Sequence, residues 1–453
     1  MFALFVLFTL MFLAGWRSKG HLLTAGNLVL FIYAFSAACA LAVYQYYPPT
    51  ATFASVVYLM AGVTLCLWPL IRGDVMDPPV INGAKERSLL NLITITAMLM
   101  GTFTFVSFIK NALKAITIGV GEVRNELFEG TFMNEGGLLT WGLLGNLSMF
   151  SGGAWMLLLV LGCLSALQNG RSLKTLLLFA GSVCGIPYGI SVGGRSPIIY
   201  YALILTLLVV MFFGRNQLVR RNRLMIIGGL VVFLFGVFAY SYYVADNRNL
   251  VTAHIYSAVP AKTREGATMF TILDYAGQGI VNFHTYWAIR WTDERLYLGG
   301  MNFPLFAGLL KRMGIITDYS NAEINDDMMI RYEYEGGFGA TFSTFLREFI
   351  MDFGEAGTLG VCALIGFCLY LCLRRYRRFR DLGSLILVVC FCSIPLLGVF
   401  YSYFPSMFGT GTFFVPFTAG LVLCLFGGQR PEVSQTEPKR VAPAGGFGPL
   451  RAA

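Results

Sequence analysis

Residues 356–380 read AGTLGVCALIGFCLYLCLRRYRRFR, an apolar run without charge that ends in a cluster of arginines. The uncharged part, residues 356–373, is close to the roughly 20 residues with which a helix crosses a bilayer. Lysine and arginine collect at the cytoplasmic ends of transmembrane helices, so the cluster at residues 374–380 sets the direction of this one. The stretch predicts a transmembrane helix that ends in the cytoplasm.

Similar apolar runs recur along the rest of the chain. Of 453 residues, 56% are hydrophobic and 13% are charged, whereas a soluble domain carries about 25% charged residues. We predict an all-α polytopic membrane protein with about eleven transmembrane helices. The eleven candidate spans are residues 1–15, 22–47, 51–71, 89–109, 138–168, 175–192, 197–213, 224–244, 356–373, 382–403 and 408–427.

The basic residues are unevenly distributed between the loops. The chain has 33 Lys and Arg against 24 Asp and Glu, a formal net charge of +9. A periplasmic N-terminus and a cytoplasmic C-terminus put most of the positive charge in the cytoplasm, as the positive-inside rule requires. The excess therefore indicates orientation in a membrane. We predict no nucleic-acid partner, because the charges do not form one folded basic domain.

Four regions follow from the candidate spans. Residues 1–244 hold eight transmembrane helices, and residues 356–427 hold three. Between them, residues 245–355 form a long periplasmic loop in which amphipathic helices are predicted. Residues 428–453 are rich in Gly, Pro and charge, which predicts a disordered cytoplasmic tail. Long loops often carry function, so we expect the chemistry in residues 245–355.

Cysteine and histidine are arranged in a way that excludes metal chemistry. All ten cysteines fall in apolar runs, where a thiol behaves as a small hydrophobe. The three histidines lie far apart in sequence, without the spacing of a zinc site. The sequence therefore predicts no protein-bound metal and no cofactor.

Charged residues are rare within the spans and concentrate at their periplasmic boundary. Ion-coupled transporters place such residues inside the spans, so this class is disfavoured. Arg124 lies in the early loop GEVRNELFEG, and Arg195 precedes Ser196 and Pro197 at a predicted helix start in SVGGRSPIIYY. A guanidinium beside a helix N-terminus suits a pyrophosphate group. The alternative for Arg195 is an arginine that extends to the lipid headgroups.

The last part of the long loop, TFSTFLREFIMDFGEAG at residues 341–357, has the spacing of an amphipathic helix. One face carries Phe342, Phe345, Leu346, Phe349 and Ile350, and the charged side chains lie off it. We predict a helix lying in the outer membrane interface, followed by a turn at Gly354 and Gly357. Arg347 then either lies over a cavity mouth or pairs with Asp352 in a helix that only caps the bundle.

A second helix is predicted within TILDYAGQGIVNFHTYWAIRWTDERLYLGG, residues 271–300. It offers Asp274, Tyr275, His284 and Arg290 to a polar site, and its aromatic residues either stack on sugars or form an interfacial belt. A base that takes a proton from a sugar hydroxyl must be a carboxylate or a neutral imidazole. The candidates in the loop are Asp274, His284, Asp352 and Glu355.

Three stretches carry a resemblance to a known family. The Gly-Arg of SVGGRSPIIYYALILTLLVV, the arginine of GEVRNELFEG and the Asp-Phe-Gly turn of TFSTFLREFIMDFGEAGTLGV are similar to segments of the O-antigen polymerases. These enzymes are also called oligosaccharide repeat-unit polymerases. The resemblance extends over roughly residues 90–430, and it implies the fold of a membrane-embedded, GT-C-like glycosyltransferase.

The resemblance implies a metal-independent glycosyltransferase of the bacterial inner membrane. Its substrates would be undecaprenyl-diphosphate-linked oligosaccharides, which it would join at the periplasmic face into O-antigen, for lipopolysaccharide biosynthesis, or into exopolysaccharide. Partner proteins would be a chain-length regulator and a flippase. The residues implied for substrate binding are Arg124, Arg195, Arg290, Arg347 and Tyr275. The residues implied as catalytic are Asp274, His284 and Asp352.

Two other functions stay open on the sequence. One is an O-antigen ligase, which would transfer the finished glycan to lipid A core or to a protein. The other is a flippase or exporter of lipid-linked oligosaccharide, which should place cationic residues inside the helix bundle. The sequence places few cationic residues there, which counts against this last class.

Overall fold

The computed structural model describes a chain that is helical, with no strand in the described residues. Those residues are 1–19, 24–43, 51–72, 78–81, 83–118, 143–170, 172–191, 196–213, 235–243, 264–289, 296–303, 311, 313–314, 343–400, 402, 404 and 406–427. The helices are α1 (Phe2–Lys19), α2 (Ala25–Val43), α3 (Phe53–Arg72), α4 (Ala84–Ile118), α5 (Leu143–Ser151), α6 (Ala154–Asn169), α7 (Leu173–Ser182), α8 (Gly185–Ser191), α9 (Ser196–Phe213), α10 (Arg264–Ile289), α11 (Phe345–Phe379), α12 (Leu382–Leu397) and α13 (Met407–Phe426).

Seven helical segments in the described part are long and apolar enough to cross a membrane. They are Ala25–Val43, Phe53–Leu70, Ala84–Thr117, Leu144–Gln168, Leu173–Ser191, Phe345–Phe379 and Met407–Phe426. Three shorter apolar helices accompany them, at Phe2–Arg17, Pro197–Phe212 and Leu382–Leu397. The predicted all-α polytopic architecture is confirmed. The number of eleven spans stays a prediction, because the candidate span 224–244 lies mostly outside the described residues.

Several pairs of consecutive helices, among them α1 with α2 and α12 with α13, pack side by side and give the bundle two ends. α1 and α2 form a hairpin, in which Phe8 contacts Tyr33 with ring centroids 5.1 Å apart. We call the side on which α2 leads to α3 the α2–α3 end. At the opposite, α11–α12 end, the backbone N–H of Val80 donates to the carbonyl of Arg380 over 3.0 Å, and Arg375 Nη2 donates to the carbonyl of Cys424 over 2.8 Å. The arginine cluster of residues 374–380 thus lies at the α11–α12 end.

The over-long fifth candidate span is interrupted at Gly152 and Gly153, between α5 and α6. A side chain at Gly153 would overlap the backbone of Gly411 in α13, so the two helices touch there at backbone distance. Trp155 Nε1 donates to Thr412 Oγ1 over 3.0 Å just beyond this contact. The break at this glycine pair divides the candidate span into the short α5 and the longer α6.

α11 is a hairpin of two helical pieces. We call residues 345–353 the half-helix and residues 355–379 the spanning half. Leu346 of the half-helix packs on Gly62 of α3, while the Glu355 carbonyl accepts from Tyr58 Oη over 2.7 Å, nearer the start of α3. The spanning half then runs back along α3, where Tyr370 stacks on Trp68 with centroids 5.3 Å apart. The half-helix therefore begins inside the bundle and runs towards the α2–α3 end.

α10 also lies inside the bundle, although it belongs to the predicted loop. Ser36 Oγ of α2 donates to the Ala276 carbonyl over 2.7 Å, and a side chain at Gly277 would overlap the backbone of Ala40. Residues 277–287 are buried without exception. The predicted helix is confirmed, and it is packed between other helices along this part of its length.

Candidate functional site

The half-helix begins among three other elements of the bundle. The backbone N–H of Thr344 donates to the carbonyl of Gly279 in α10 over 3.1 Å, and that of Phe345 donates to the carbonyl of Gly398 after α12 over 2.8 Å. The first N–H groups of a helix have no partner within the helix, so carbonyls from elsewhere must satisfy them when the helix end is buried. These two bonds hold the start of the half-helix at the depth of Gly398.

The turn between the two pieces of α11 depends on Gly354. Its backbone angles are φ 70° and ψ 179°, a region that is essentially restricted to glycine. The turn predicted at this glycine is confirmed. It reverses the chain, so that the apolar residues of the half-helix face α3 and α12 from within the bundle.

The predicted position of the half-helix in the outer membrane interface is wrong. Every residue from 345 to 352 is buried, including the charged ones. Phe345 contacts Gly398, which follows α12, and Leu346 contacts Gly62 of α3. The apolar face predicted from the spacing is present, but the charged side is covered as well. Met301 and Asn302 bind Asp352 there, and Gly279 of α10 contacts the start of the half-helix.

Arg347 forms an ion pair with its neighbour in sequence. Its Nε and Nη2 donate to the same oxygen, Glu348 Oε1, over 3.1 and 2.5 Å. Arg347 is 5% exposed and Glu348 is 1% exposed. The predicted alternative, in which Arg347 pairs with Asp352, is wrong, because the carboxylate of Asp352 binds another segment. A buried guanidinium paired in this way keeps its charge inside the bundle.

Asp352 binds a short segment, residues 297–302, that lies before the half-helix in sequence. Its Oδ1 accepts the backbone N–H of Met301 over 2.8 Å, and its Oδ2 accepts the backbone N–H and the side-chain Nδ2 of Asn302 over 3.0 and 2.7 Å. The backbone N–H of Leu298 donates to the carbonyl of the same residue, Asp352, over 3.0 Å. Both carboxylate oxygens are therefore occupied, which suits a role in positioning residues 297–302.

His284 of α10 is buried against the start of α3. Its Nδ1 lies 2.7 Å from Ser55 Oγ, and its Nε2 has no hydrogen-bond partner in the described part of the chain. Burial lowers the pKa of the imidazole to about 3, and the positive charge of the chain's N-terminus adds to this effect. The imidazole is therefore neutral at physiological pH, as a proton acceptor must be, but it is a weak base.

The aromatic residues of α10 pack inside the protein. Trp287 lies 4.6 Å from Tyr58 of α3 between ring centroids, and Phe283 lies 6.4 Å from the same ring. Trp287 is buried, as is Tyr286 one position before it. For these residues the structure supports neither stacking on an exposed sugar nor an interfacial belt, because their rings are covered by other helices.

Asp274 and Tyr275 lie on α10 and are half-buried, and both take part in contacts with other groups. Asp274 precedes His284 by ten residues on one helix, which separates them by about 15 Å along its axis. The structure therefore does not bring these two predicted catalytic residues together. Three further predicted site residues, Arg124, Arg195 and Arg290, lie outside the described residues.

From the sequence, Glu348 is only one of the charged residues off the apolar face, yet in the structure its carboxylate pairs with Arg347. Its Oε2 is buried and has no hydrogen-bond partner among the described residues. The same is true of Ser343 Oγ and Thr344 Oγ1, at the start of the half-helix. Buried polar atoms without a partner are uncommon in folded proteins, so this group marks the candidate site. Residue spacing could not predict this group of atoms, because whether a polar atom has a hydrogen-bond partner depends on the packed structure.

The described residues contain no group of three or more His, Cys, Asp or Glu side chains that could hold a metal ion. The fold and the site define an all-α polytopic membrane protein with an ion pair buried beside a broken helix. No protein-family model, no curated protein and no solved structure matches this chain.

Proposed function

We propose that the protein polymerises oligosaccharide repeat units carried on undecaprenyl diphosphate. The growing chain on its lipid diphosphate is the donor, and a single repeat unit on a second lipid is the acceptor. The reaction takes place at the periplasmic face of a bacterial inner membrane, which corresponds to the α2–α3 end. The product is O-antigen or exopolysaccharide, and a chain-length regulator and a flippase are the expected partners.

The observation that carries this proposal is the burial of Arg347 at the start of the half-helix. The leaving group of the reaction is a diphosphate, and its developing negative charge must be stabilised without a metal. A guanidinium provides a planar set of donors that matches phosphate oxygens. In a site without water, such a preorganised donor stabilises a transition state far more than it would in solvent. Arg124, Arg195 and Arg290 are proposed to contribute further positive charge, with Tyr275 at the sugar.

The test is chain extension by the purified protein in liposomes. The substrate is the lipid-linked repeat unit extracted from a strain of the source bacterium that lacks this gene. We expect a ladder of longer glycans on a gel, and a loss of about 100- to 1,000-fold in rate for Arg347→Ala. Arg374→Gln, at the exposed end of the spanning half, is the matched control and should keep the wild-type rate.

Two results would contradict the proposal. One is a wild-type protein that leaves the lipid-linked repeat unit unextended. The other is an Arg347→Ala variant that extends chains at the wild-type rate. A ligase is distinguished in the deletion strain: loss of a polymerase leaves lipid A core with one repeat unit, whereas loss of a ligase leaves lipid A core with none.

The buried Arg347 also favours a second candidate, a flippase or exporter of lipid-linked oligosaccharide. Transporters often bind substrate where a discontinuous helix starts inside the membrane, and α11 is broken in this manner. Such a protein would move the lipid-linked repeat unit between leaflets of a liposome without lengthening it. A leaflet-accessibility assay on the same liposomes therefore separates the two candidates.

A further inference from the structure

Chain extension requires a group that takes the proton from the acceptor hydroxyl, and the start of the half-helix contains an unoccupied acceptor atom. Both nitrogens of Arg347 that contact Glu348 donate to Oε1. The second oxygen, Oε2, is buried and has no hydrogen-bond partner in the described part of the chain. Arginine–carboxylate pairs are frequently bidentate, with one donor to each oxygen, whereas this pair leaves Oε2 able to accept a further hydrogen bond.

A second unsatisfied oxygen lies where the half-helix begins. Thr344 is the N-cap residue of the half-helix, in extended conformation, and it precedes Glu348 by four positions. Thr344 Oγ1 has no partner among the described residues, and it does not cap the helix that it begins. Ser343 Oγ, one residue earlier, is likewise buried without a partner. Hydroxyl and carboxylate oxygens grouped in this way suit a ligand that carries hydroxyl groups.

The other candidate bases are less suited to the task. Both oxygens of Asp352 accept hydrogen bonds from residues 301 and 302. His284 has a pKa of about 3, far below the operating pH at which a general base is most effective. Asp274 lies on α10 and is only half-buried. Of the carboxylates in the half-helix and in the described part of α10, only that of Glu348 is buried and also has an oxygen without a hydrogen-bond partner.

We propose that Glu348 is the catalytic base of the polymerisation, and that Thr344 Oγ1 helps to bind the acceptor sugar beside it. This inference rests on the proposed function. The acceptor hydroxyl gives its proton to Glu348 Oε2 while its oxygen forms a bond to the anomeric carbon of the donor. The bond from that carbon to the diphosphate breaks, and its electron pair leaves with the lipid diphosphate. Glu348 then returns the proton to water, which completes the cycle.

The ion pair links the two halves of this reaction. Before the reaction Glu348 neutralises the neighbouring charge of Arg347. When Glu348 accepts the proton its negative charge disappears, and the guanidinium exerts its full positive charge at the moment when the diphosphate gains negative charge. Because the site is shielded from solvent, this change in field is felt strongly by the leaving group. The shielding also protects the bound donor from hydrolysis.

The test compares three variants in the liposome extension assay. Glu348→Gln keeps the shape and the acceptor for Arg347 but takes up no proton, so we expect the maximal rate to fall by about 100- to 10,000-fold with KM for the lipid-linked donor changed by less than about threefold. Glu348→Asp retains a carboxylate and should recover at least about tenfold over the Gln variant. Lys174→Gln, in the exposed first turn of α7, is the control and should match the wild type.

The third variant, Arg347→Gln combined with Glu348→Gln, removes both charges and therefore leaves no unpaired charge in the bundle. If Glu348 served only as a countercharge, its loss would matter no further once Arg347 is gone, so this double variant would extend chains at least as fast as Arg347→Gln alone, and that result would overturn the proposal. Full activity of Glu348→Gln would overturn it as well. If Glu348→Gln does not fold, the double variant decides the question by comparison with Arg347→Gln, because it has no carboxylate at position 348. Failure of the wild type to extend chains would instead contradict the proposed function.

Discussion

The two ends of α11 place arginine in opposite surroundings. Arg347 in the half-helix is 5% exposed and pairs with a buried carboxylate, whereas Arg374 at the end of the spanning half is exposed. Both side chains are equally polar, and both follow apolar residues in sequence. The difference comes from the neighbours, because Gly279 of α10 and Gly398 after α12 contact the start of the half-helix, whereas the described part of the chain leaves Arg374 exposed. Burial of a charge here is decided by distant parts of the chain.

The largest effect is expected from removing the buried arginine. Arg347→Met leaves Glu348 as an uncompensated charge inside the bundle, which should lower the free energy of unfolding by about 3–5 kcal/mol. Arg374→Met, at the exposed end of the same helix, should change it by less than about 0.5 kcal/mol. Denaturant unfolding of both variants in detergent measures the contrast. Equal losses in the two variants would show that the surroundings do not differ as described.

The second effect is a dependence of stability on pH that comes from His284 of α10. Because burial lowers the pKa of His284 from 6.5 to about 3, the unfolded chain binds a proton in this range that the folded chain does not. Stability is therefore complete above pH 6.5 and is lost as the pH falls towards 3, at up to about 1.4 kcal/mol per pH unit.

The matching measurement is thermal unfolding of the wild type and of His284→Gln between pH 7 and 4.5. The glutamine retains a polar group for Ser55 but has no proton to gain. We expect the wild type to lose about 2–3 kcal/mol more than this variant over that range. Parallel curves for the two proteins would mean that His284 is not shielded from solvent.

The smallest of the three effects tests the hinge between the two pieces of α11. Gly354→Ala introduces a side chain at φ 70° and ψ 179°, which should cost about 1–3 kcal/mol through backbone strain. Gly360→Ala is the control in the spanning half, where a side chain would meet no atom within 4 Å, and alanine favours a helix over glycine there. Denaturant midpoints of the two variants should therefore move in opposite directions. A Gly354→Ala midpoint equal to that of the wild type would refute the strained turn.

Much of the fold could be predicted from short stretches of the sequence. Apolar runs located the membrane helices, the 3.6-residue spacing located α10, and Gly354 located the turn of α11, because each of these signals lies within a few neighbouring residues. The position of the half-helix was predicted wrongly. Its charged residues suggested an interface, yet they are buried because Gly279 and Gly398, far away in sequence, supply the carbonyls that hold its first turn.

The candidate site was less predictable than the fold. Arg347 was identified from its charge, and pairing with Asp352 was one of the two alternatives predicted for it, since the sequence could not reveal that residues 301 and 302 occupy that carboxylate. Glu348 was not among the predicted site residues, because its distinguishing property is a buried oxygen without a partner among the described residues. Whether an oxygen lacks a partner depends on the folded positions of all its neighbours, so no pattern of residue types in the sequence can predict it.

The contact between α2 and α10 also bears on the order in which the molecule is assembled. Ser36 and Ala276, joined by a hydrogen bond, lie 240 positions apart in sequence. At a synthesis rate of about 5–20 residues per second, the α2 surface waits roughly 12–48 s for its partner. A side chain as small as that of alanine at Gly277 would then obstruct the docking, since it would overlap the backbone of Ala40. The α2–α3 end is therefore completed late in biosynthesis, well after the helices that form its walls have entered the membrane.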